Sequence, residues 1–335
     1  TVCDEEEIHP KNNLNIDATL VIFSIKAYGP EHTSRLYEEL INSLQYSLNE
    51  KVDITYRVAM YMQENDWLQP YEDLDRNIAL IIDYYEKSIS YAKELNDMKK
   101  IIKNISGLFK AYDKINKQEY AMEYFYKEIR DLCGSENYFS CLKRGGDALG
   151  NLASAFYSLN NYDEATKIYQ YLTDKANLSS LEGNAKNEII ANLQVFYYRL
   201  GMMDLKRSNY YTARQNFIAG VAALKENIAI DNVDQNWVGM RLLNSRIAQC
   251  YYEENNFINA VKYYKEAYYS TDIRGKMDEL AMLALSEYLD NQLDSSKVHF
   301  QQIEKYYAEG KMNYSDTYFN ITWPLYLYHK SEGNT

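Results

Sequence analysis

The sequence predicts an all-α protein built as a solenoid of antiparallel helix hairpins, and three observations predict it. Proline and glycine are scarce, 4 and 13 in 335 residues, which favours long helices over a loop-rich β fold. Tyrosine is abundant, 35 against 10 Phe and 3 Trp. A protein with many shallow seams uses such a residue heavily, because the ring packs while the hydroxyl stays wet. The third observation is an internal pattern: an apolar helix, a two-residue turn led by Asn or Ser, then a helix with a small residue near its start and a large one four places on.

The segment NNYDEATKIYQYL (160–172) is half of one such unit. Ala165, Tyr169 and Leu172 share one face of a helix, and Leu152, Ala153, Ala155 and Phe156 lie on the helix before it. The same order recurs around four other turns. Leu108, Ala111 and Tyr112 precede Asn116-Lys117, followed by Ala121 and Phe125. Leu200, Gly201 and Met203 precede Ser208-Asn209, followed by Tyr210, Ala213, Phe217 and Gly220. Ile247, Ala248, Cys250 and Tyr251 precede Asn255-Asn256, followed by Phe257, Ala260, Tyr264 and Ala267. Leu283, Ala284 and Tyr288 precede Asn291-Gln292, followed by Leu293, Ser296, Phe300 and Ile303. A small residue lets the two helices (A, then B) cross closely, and the larger one fills the adjacent groove. One hairpin leaves an apolar face uncovered, so neighbours must stack.

These residues carry the tetratricopeptide signature, and the chain resembles that family over about 97–308. The resemblance implies a right-handed superhelical solenoid. The small residues at 121, 165, 213, 260 and 296 are spaced more widely than the family's basic unit of about 34, so longer helices or connections are expected. Ahead of the clear repeats, Tyr84, Tyr85, Ile89 and Tyr91 read as an earlier helix B, with 54–67 as its helix A and 34–48 as another amphipathic helix started by Gly29-Pro30. The organisation expected is a tail and lead-in over 1–30, divergent helical repeats over 31–96, tetratricopeptide-like repeats over 97–308, and a C-terminal helix over 309–335. That helix, with Leu325, Tyr326 and His329, reads as a helix A followed by its turn at Gly333-Asn334, so the natural protein is expected to continue.

The net charge is −12, which argues against direct binding to a phosphate backbone. No apolar stretch approaches the ~20 residues of a membrane span. The chain begins with Thr1, so its compartment, cytoplasmic or exported, stays open. Cys3, Cys133, Cys141 and Cys250 form no C-x-x-C pair and lack nearby histidines, so neither a metal site nor a cofactor is expected. Cys133 and Cys141 read as two thiols at helix ends or as a disulfide, and Cys250 reads as a small core residue. His299 reads as structural. The glycines of KRGGDALG lack dinucleotide-binding spacing, and the segment reads as a helix start with Asp147 in its first turn. No nucleophile elbow, zinc-protease helix or phosphate loop is present, so no catalytic residue is assigned and an enzyme is not expected.

The resemblance implies a concave groove lined by A helices. Its candidate ligand-facing residues are Lys103, Lys110 and Asp113; Asn151, Ser154 and Tyr157 with Asp147; Tyr198, Arg199, Met202 and Lys206; Arg246, Gln249 and Tyr252; and Asp278 and Tyr288. Lys110, Asn151 and Arg199 fall where some relatives clamp a peptide carboxylate, but Ser106 and Val195 occupy two of the clamp's places. Tyr84, Tyr124, Tyr169, Tyr263 and Tyr264 read as inter-helix packing. The function expected is a non-catalytic module that binds a protein or peptide segment as a scaffold or adaptor. The alternative is the ligand-sensing region of a larger bacterial transcriptional regulator or histidine kinase, whose long repeats with AKELND-type ends this chain also resembles.

Overall fold

The computed structural model describes residues 30–43, 46–64, 74–134, 137–179, 183–231, 237–269, 277–309, 321–331 and 333. Helices account for nearly all of them, and no strand occurs among the described residues. The protein is an all-α solenoid of helix hairpins. It divides into two compact units, residues 1–168 and 169–335.

The first unit holds α1 (Pro30–Ser43), α2 (Leu48–Glu64), α3 (Leu74–Glu94), α4 (Met98–Lys114), α5 (Gln118–Cys133), α6 (Tyr138–Leu142), a 3₁₀ turn (Lys143–Gly145) and α7 (Ala148–Ser158). It ends within α8 (Tyr162–Thr173). The second unit continues with α9 (Lys175–Ser179), α10 (Gly183–Lys206), α11 (Tyr210–Asp231), α12 (Trp237–Glu253), α13 (Phe257–Tyr269), α14 (Met277–Leu289), α15 (Leu293–Ala308) and α16 (Thr322–Ser331). Successive helices pack on one another from α2 through α5 and from α10 through α15, and α2 also meets α4, α4 meets α7, and α14 meets α16.

One turn geometry builds the hairpins. Asn116, Asn160, Ser208, Asn255 and Asn291 all have φ between 54° and 63°, and Asn96 joins them ahead of α4. These are the turn residues the sequence pattern marks, apart from Asn96. After α7, the Asn160 amide donates to Tyr157 O at 3.1 Å and the Asn161 amide to Phe156 O at 2.9 Å. This is a Schellman motif with Asn in the left-handed position. Asn161 also opens the next helix, since its carbonyl accepts from the Ala165 amide at 3.2 Å. The same closing and opening bonds recur at Asn209, Asn256 and Gln292. With no spare residue between the helices, the residue four past the turn always faces the partner helix. That is why Ala121, Ala165, Ala213 and Ala260 are fully buried. Ser296 fills the equivalent place at 1% exposure, and its hydroxyl donates to Ala284 O at 2.8 Å across the hairpin.

Aromatic rings join neighbouring helices within each unit. Phe109 (α4), Phe125 (α5) and Phe156 (α7) form a triangle of edge-to-face contacts, with centroids 5.1 to 5.9 Å apart. Two A helices therefore share the large residue of the B helix between them. Tyr37 meets Tyr84 edge-on at 4.7 Å and hydrogen-bonds Thr55. In the second unit Phe300 of α15 stacks on Tyr328 of α16 at 4.5 Å. Tyr84, Tyr169 and Tyr264 are buried and Tyr263 stacks on Tyr251, the packing role read from the sequence.

The structure differs from the sequence reading at several places. The first helix is Pro30–Ser43 and not 34–48, and the next spans Leu48–Glu64 and not 54–67. A capping box explains the break: Ser47 N–H donates to Glu50 Oε2 at 2.8 Å, and Glu50 N–H faces the Ser47 hydroxyl at 3.4 Å. Asp147 precedes α7 but makes no side-chain cap. Its carboxylate instead pairs with Lys99 of α4 at 2.8 Å. Cys133 and Cys141 are joined as a disulfide. The long units of the second half contain the inserted α9 and the extended α10 and α11. Thr1–Gly29, including Cys3, and Asn334-Thr335 lie outside the described residues.

Candidate functional site

The A helices of the second unit border a polar cleft of about 500 Å³. α12 contributes Arg241, Ser245, Arg246, Gln249, Tyr252 and Glu253, and α14 contributes Asp278, Glu279 and Met282. Trp323 and Pro324 of α16 close one side. Helical periodicity aims these side chains together: 241, 245, 249 and 252 recur every three or four residues and share one face of α12. The opposite face carries Leu243, Ile247 and Cys250, buried against α11 with Phe217. The cleft volume lies within the ~300–1,000 Å³ usual for small-ligand sites.

Its electrostatics are set by burial. Arg241 Nη1 lies 2.9 Å from Glu279 Oε1, joining α12 to α14. Glu279 is 5% exposed. Desolvation raises its pKa, with the Arg241 guanidinium opposing and Asp278 adding a smaller upward push. Arg246 Nη1 donates to Gln249 Oε1 at 2.7 Å. Burial raises the Tyr252 phenol, whose ring packs edge-on against Phe257 at 5.7 Å. Trp323 remains 56% exposed and stacks on Tyr326 at 5.5 Å.

Of the residues proposed from sequence, the structure brings Arg246, Gln249, Tyr252 and Asp278 into this one cleft. Tyr288, on the same helix as Asp278, packs against the core formed with Phe300 and Tyr328. Tyr198 and Met202 of α10 pack against the cluster around Phe217, and Arg199 is half-buried beside them in sequence. In the first unit Lys103 lies over the Tyr56 ring at 4.5 Å. Lys110 and Asn151 are exposed. Asp113 accepts from Gln118 at 2.9 Å, the Ser154 carbonyl accepts from the Ser158 hydroxyl at 3.1 Å, and Tyr157 packs on Tyr162 at 5.5 Å. Of the two departures from a carboxylate clamp, Ser106 is buried and donates to Ile102 O at 2.8 Å, and Val195 is exposed.

Sequence reasoning missed Arg241, Glu279 and Trp323. The available signal is the polar stripe of α12, which starts at Arg241, more than a helical turn ahead of the Ile247–Tyr251 pattern. Glu279 has no such signal, because one more carboxylate in an acidic chain looks like surface.

Searches of family models and of curated proteins found no match. Solved structures that resemble the chain include two all-helical proteins. One is pilF of Pseudomonas aeruginosa, with 12% identity, coverage of 85% of this chain and 99% of that one, and a TM-score of 0.46. The other is BtubC (BKLC) from P. vanneervenii, with 8% identity, coverage of 81% and 94%, and a TM-score of 0.41.

Among the described residues no helix is long and apolar enough to cross a membrane, and no group of three His, Cys, Asp or Glu is placed to hold a metal ion.

Proposed function

We propose that the chain is a non-catalytic binding module that docks a protein or peptide segment along its A helices, acting as a scaffold or adaptor. The observation that supports this reading most directly is the polar and aromatic face carried by the A helices. Each B helix buries a large residue in the seam of its hairpin, as Phe125, Tyr169, Tyr264 and Phe300 show. A helices leave polar and aromatic side chains uncommitted or half-buried, among them Lys103, Lys110, Asn151, Arg246, Gln249 and Tyr252. Tyr and Arg are the types that dominate interface energetics, and charges along the face set register and partner choice.

The test is partner capture by variants of that face. Tyr157, Tyr198 and Tyr252 are replaced together by Ala, and Lys103 and Lys110 separately by Glu. Each tyrosine also packs on an aromatic of its own hairpin, so the triple variant loses some thermal stability. The lysine pair is exposed, and losing the Lys103 contact with the Tyr56 ring lowers the melt only slightly. Both sets are expected to weaken partner retention at temperatures where helical circular dichroism is intact. Retention equal to wild type in both sets rules the face out.

A further inference from the structure

The α12–α14–α16 cleft contains two unsatisfied buried atoms of opposite polarity. Glu279 Oε1 receives Arg241, but Glu279 Oε2 is buried without a hydrogen-bond partner. Arg246 Nη1 is used on Gln249, but Arg246 Nε is buried and equally without one. Buried polar atoms are nearly always paired, and an unpaired one costs roughly 1–3 kcal/mol, more within a charged group. A purely structural role for these two side chains explains neither atom, because the Arg241–Glu279 pair already joins the helices. Both residues line the same cavity.

The surroundings define what would satisfy them. Asp278 and Glu279 are adjacent on α14 and make one side acidic. Arg246 on α12 supplies a guanidinium whose hydrogen-bond partner, Gln249, is neutral. Met282, Tyr252 and the exposed indole of Trp323 provide apolar wall. A purely anionic ligand would meet Glu253, Asp278 and Glu279 together, and a purely cationic one would meet Arg246. A ligand carrying both charges satisfies both sides. We propose that the cleft binds a small zwitterion of amino-acid or dipeptide size, its ammonium group toward Asp278 and Glu279, its carboxylate toward Arg246, and its side chain against Met282 and Trp323. This small-molecule site stands independently of whether a macromolecule docks along the A helices.

The experiment is calorimetric titration of the full chain with the free L-amino acids and a set of glycyl dipeptides, each to millimolar concentration. At least one is expected to bind saturably. Its N-acetyl and C-terminal amide derivatives are expected to bind at least tenfold more weakly, because each removes one charge. Glu279→Gln and Arg246→Met are each expected to lose at least tenfold, with circular dichroism reporting the fold. Trp323→Ala, at an exposed position that leaves the core untouched, is expected to weaken binding severalfold and serves where the buried substitutions unfold the chain. No saturable binding across the panel overturns the proposal. So does equal binding of the capped derivatives, or binding unaffected by the substitutions that fold. Partner capture by the tyrosine and lysine variants reports on the docking face separately.

Discussion

Gly201 of α10 lies directly against the ring of Phe217 on α11: a β-carbon built on Gly201 would meet the ring at 2.5 Å. The close crossing of this hairpin depends on that absent methyl. Gly107 of α4 holds the same relationship to Tyr85 of α3, at 2.4 Å. Replacing Gly201 by Ala gains up to ~1 kcal/mol of helix propensity, but overpacking costs about 1–3 kcal/mol. At 2.5 Å the approach is close enough to put the cost at the upper end of that range, so Gly201→Ala is expected to lower stability by about 2 kcal/mol in urea unfolding. A neutral or stabilised variant would show that the crossing has room to open.

The turns give a second prediction. At φ near 58°, a residue with a β-carbon costs about 1–2 kcal/mol unless its side chain bonds locally. Asn160 does so, accepting the Tyr162 hydroxyl at 2.6 Å. Asn160→Val is expected to destabilise by about 1–2 kcal/mol, whereas Ser208→Gly at the equivalent turn is expected to stabilise by up to ~1 kcal/mol. Chemical denaturation of the two variants, read against wild type, decides it.

Cysteine chemistry gives a third. The Cys133–Cys141 bridge closes a separation of 8 residues, for which chain entropy predicts about 2–3 kcal/mol. The double Ser variant is expected to lose that amount, and reductant is expected to shift the wild-type melt but not the variant's. Cys250 behaves oppositely. Burial pushes its thiol up to about 12, so at neutral pH it is protonated as well as enclosed. It is expected to resist maleimide in the native protein and to react once the chain is unfolded in denaturant. Native-state labelling of Cys250 at the rate of a free thiol would contradict its placement.

Glu279 gives a fourth. Its folded pKa is raised above the ordinary 4.5 by burial, so the folded state holds this proton more tightly than the unfolded chain does. Stability from the group is therefore full below the unfolded value and is lost as pH rises through the raised folded one. Glu279→Gln removes that dependence. The stability of wild type relative to the Gln variant is expected to fall as pH rises from about 4 toward neutrality. A gap that stays constant with pH would mean that Arg241 fully offsets the burial.

Much of the local architecture was legible because it rests on short-range rules. The turn at Asn160-Asn161 announces itself, since few residues besides Gly and Asn accept a left-handed conformation, and the Schellman geometry then fixes where Ala165 falls. The break near Ser47 was equally local, written in Ser47 and Glu50, and was overlooked because an apolar period runs across it. The cleft was less legible. Arg246, Gln249 and Tyr252 follow from the face of one helix. Trp323, far away in sequence, joins them only because α16 packs on α14.

By itself the sequence determined the helical class, the hairpin unit, its turns and the small residues at its crossings. Each of these depends on backbone conformation or side-chain size within about ten residues. Tertiary structure decided the rest. It paired Cys133 with Cys141, gave Asp147 to Lys99 rather than to a helix cap, and turned Glu279 from one surface carboxylate among many into a buried partner of Arg241. These outcomes depend on which helices are stacked together and how much water is left between them, and burial of that kind is a property of the assembled layers.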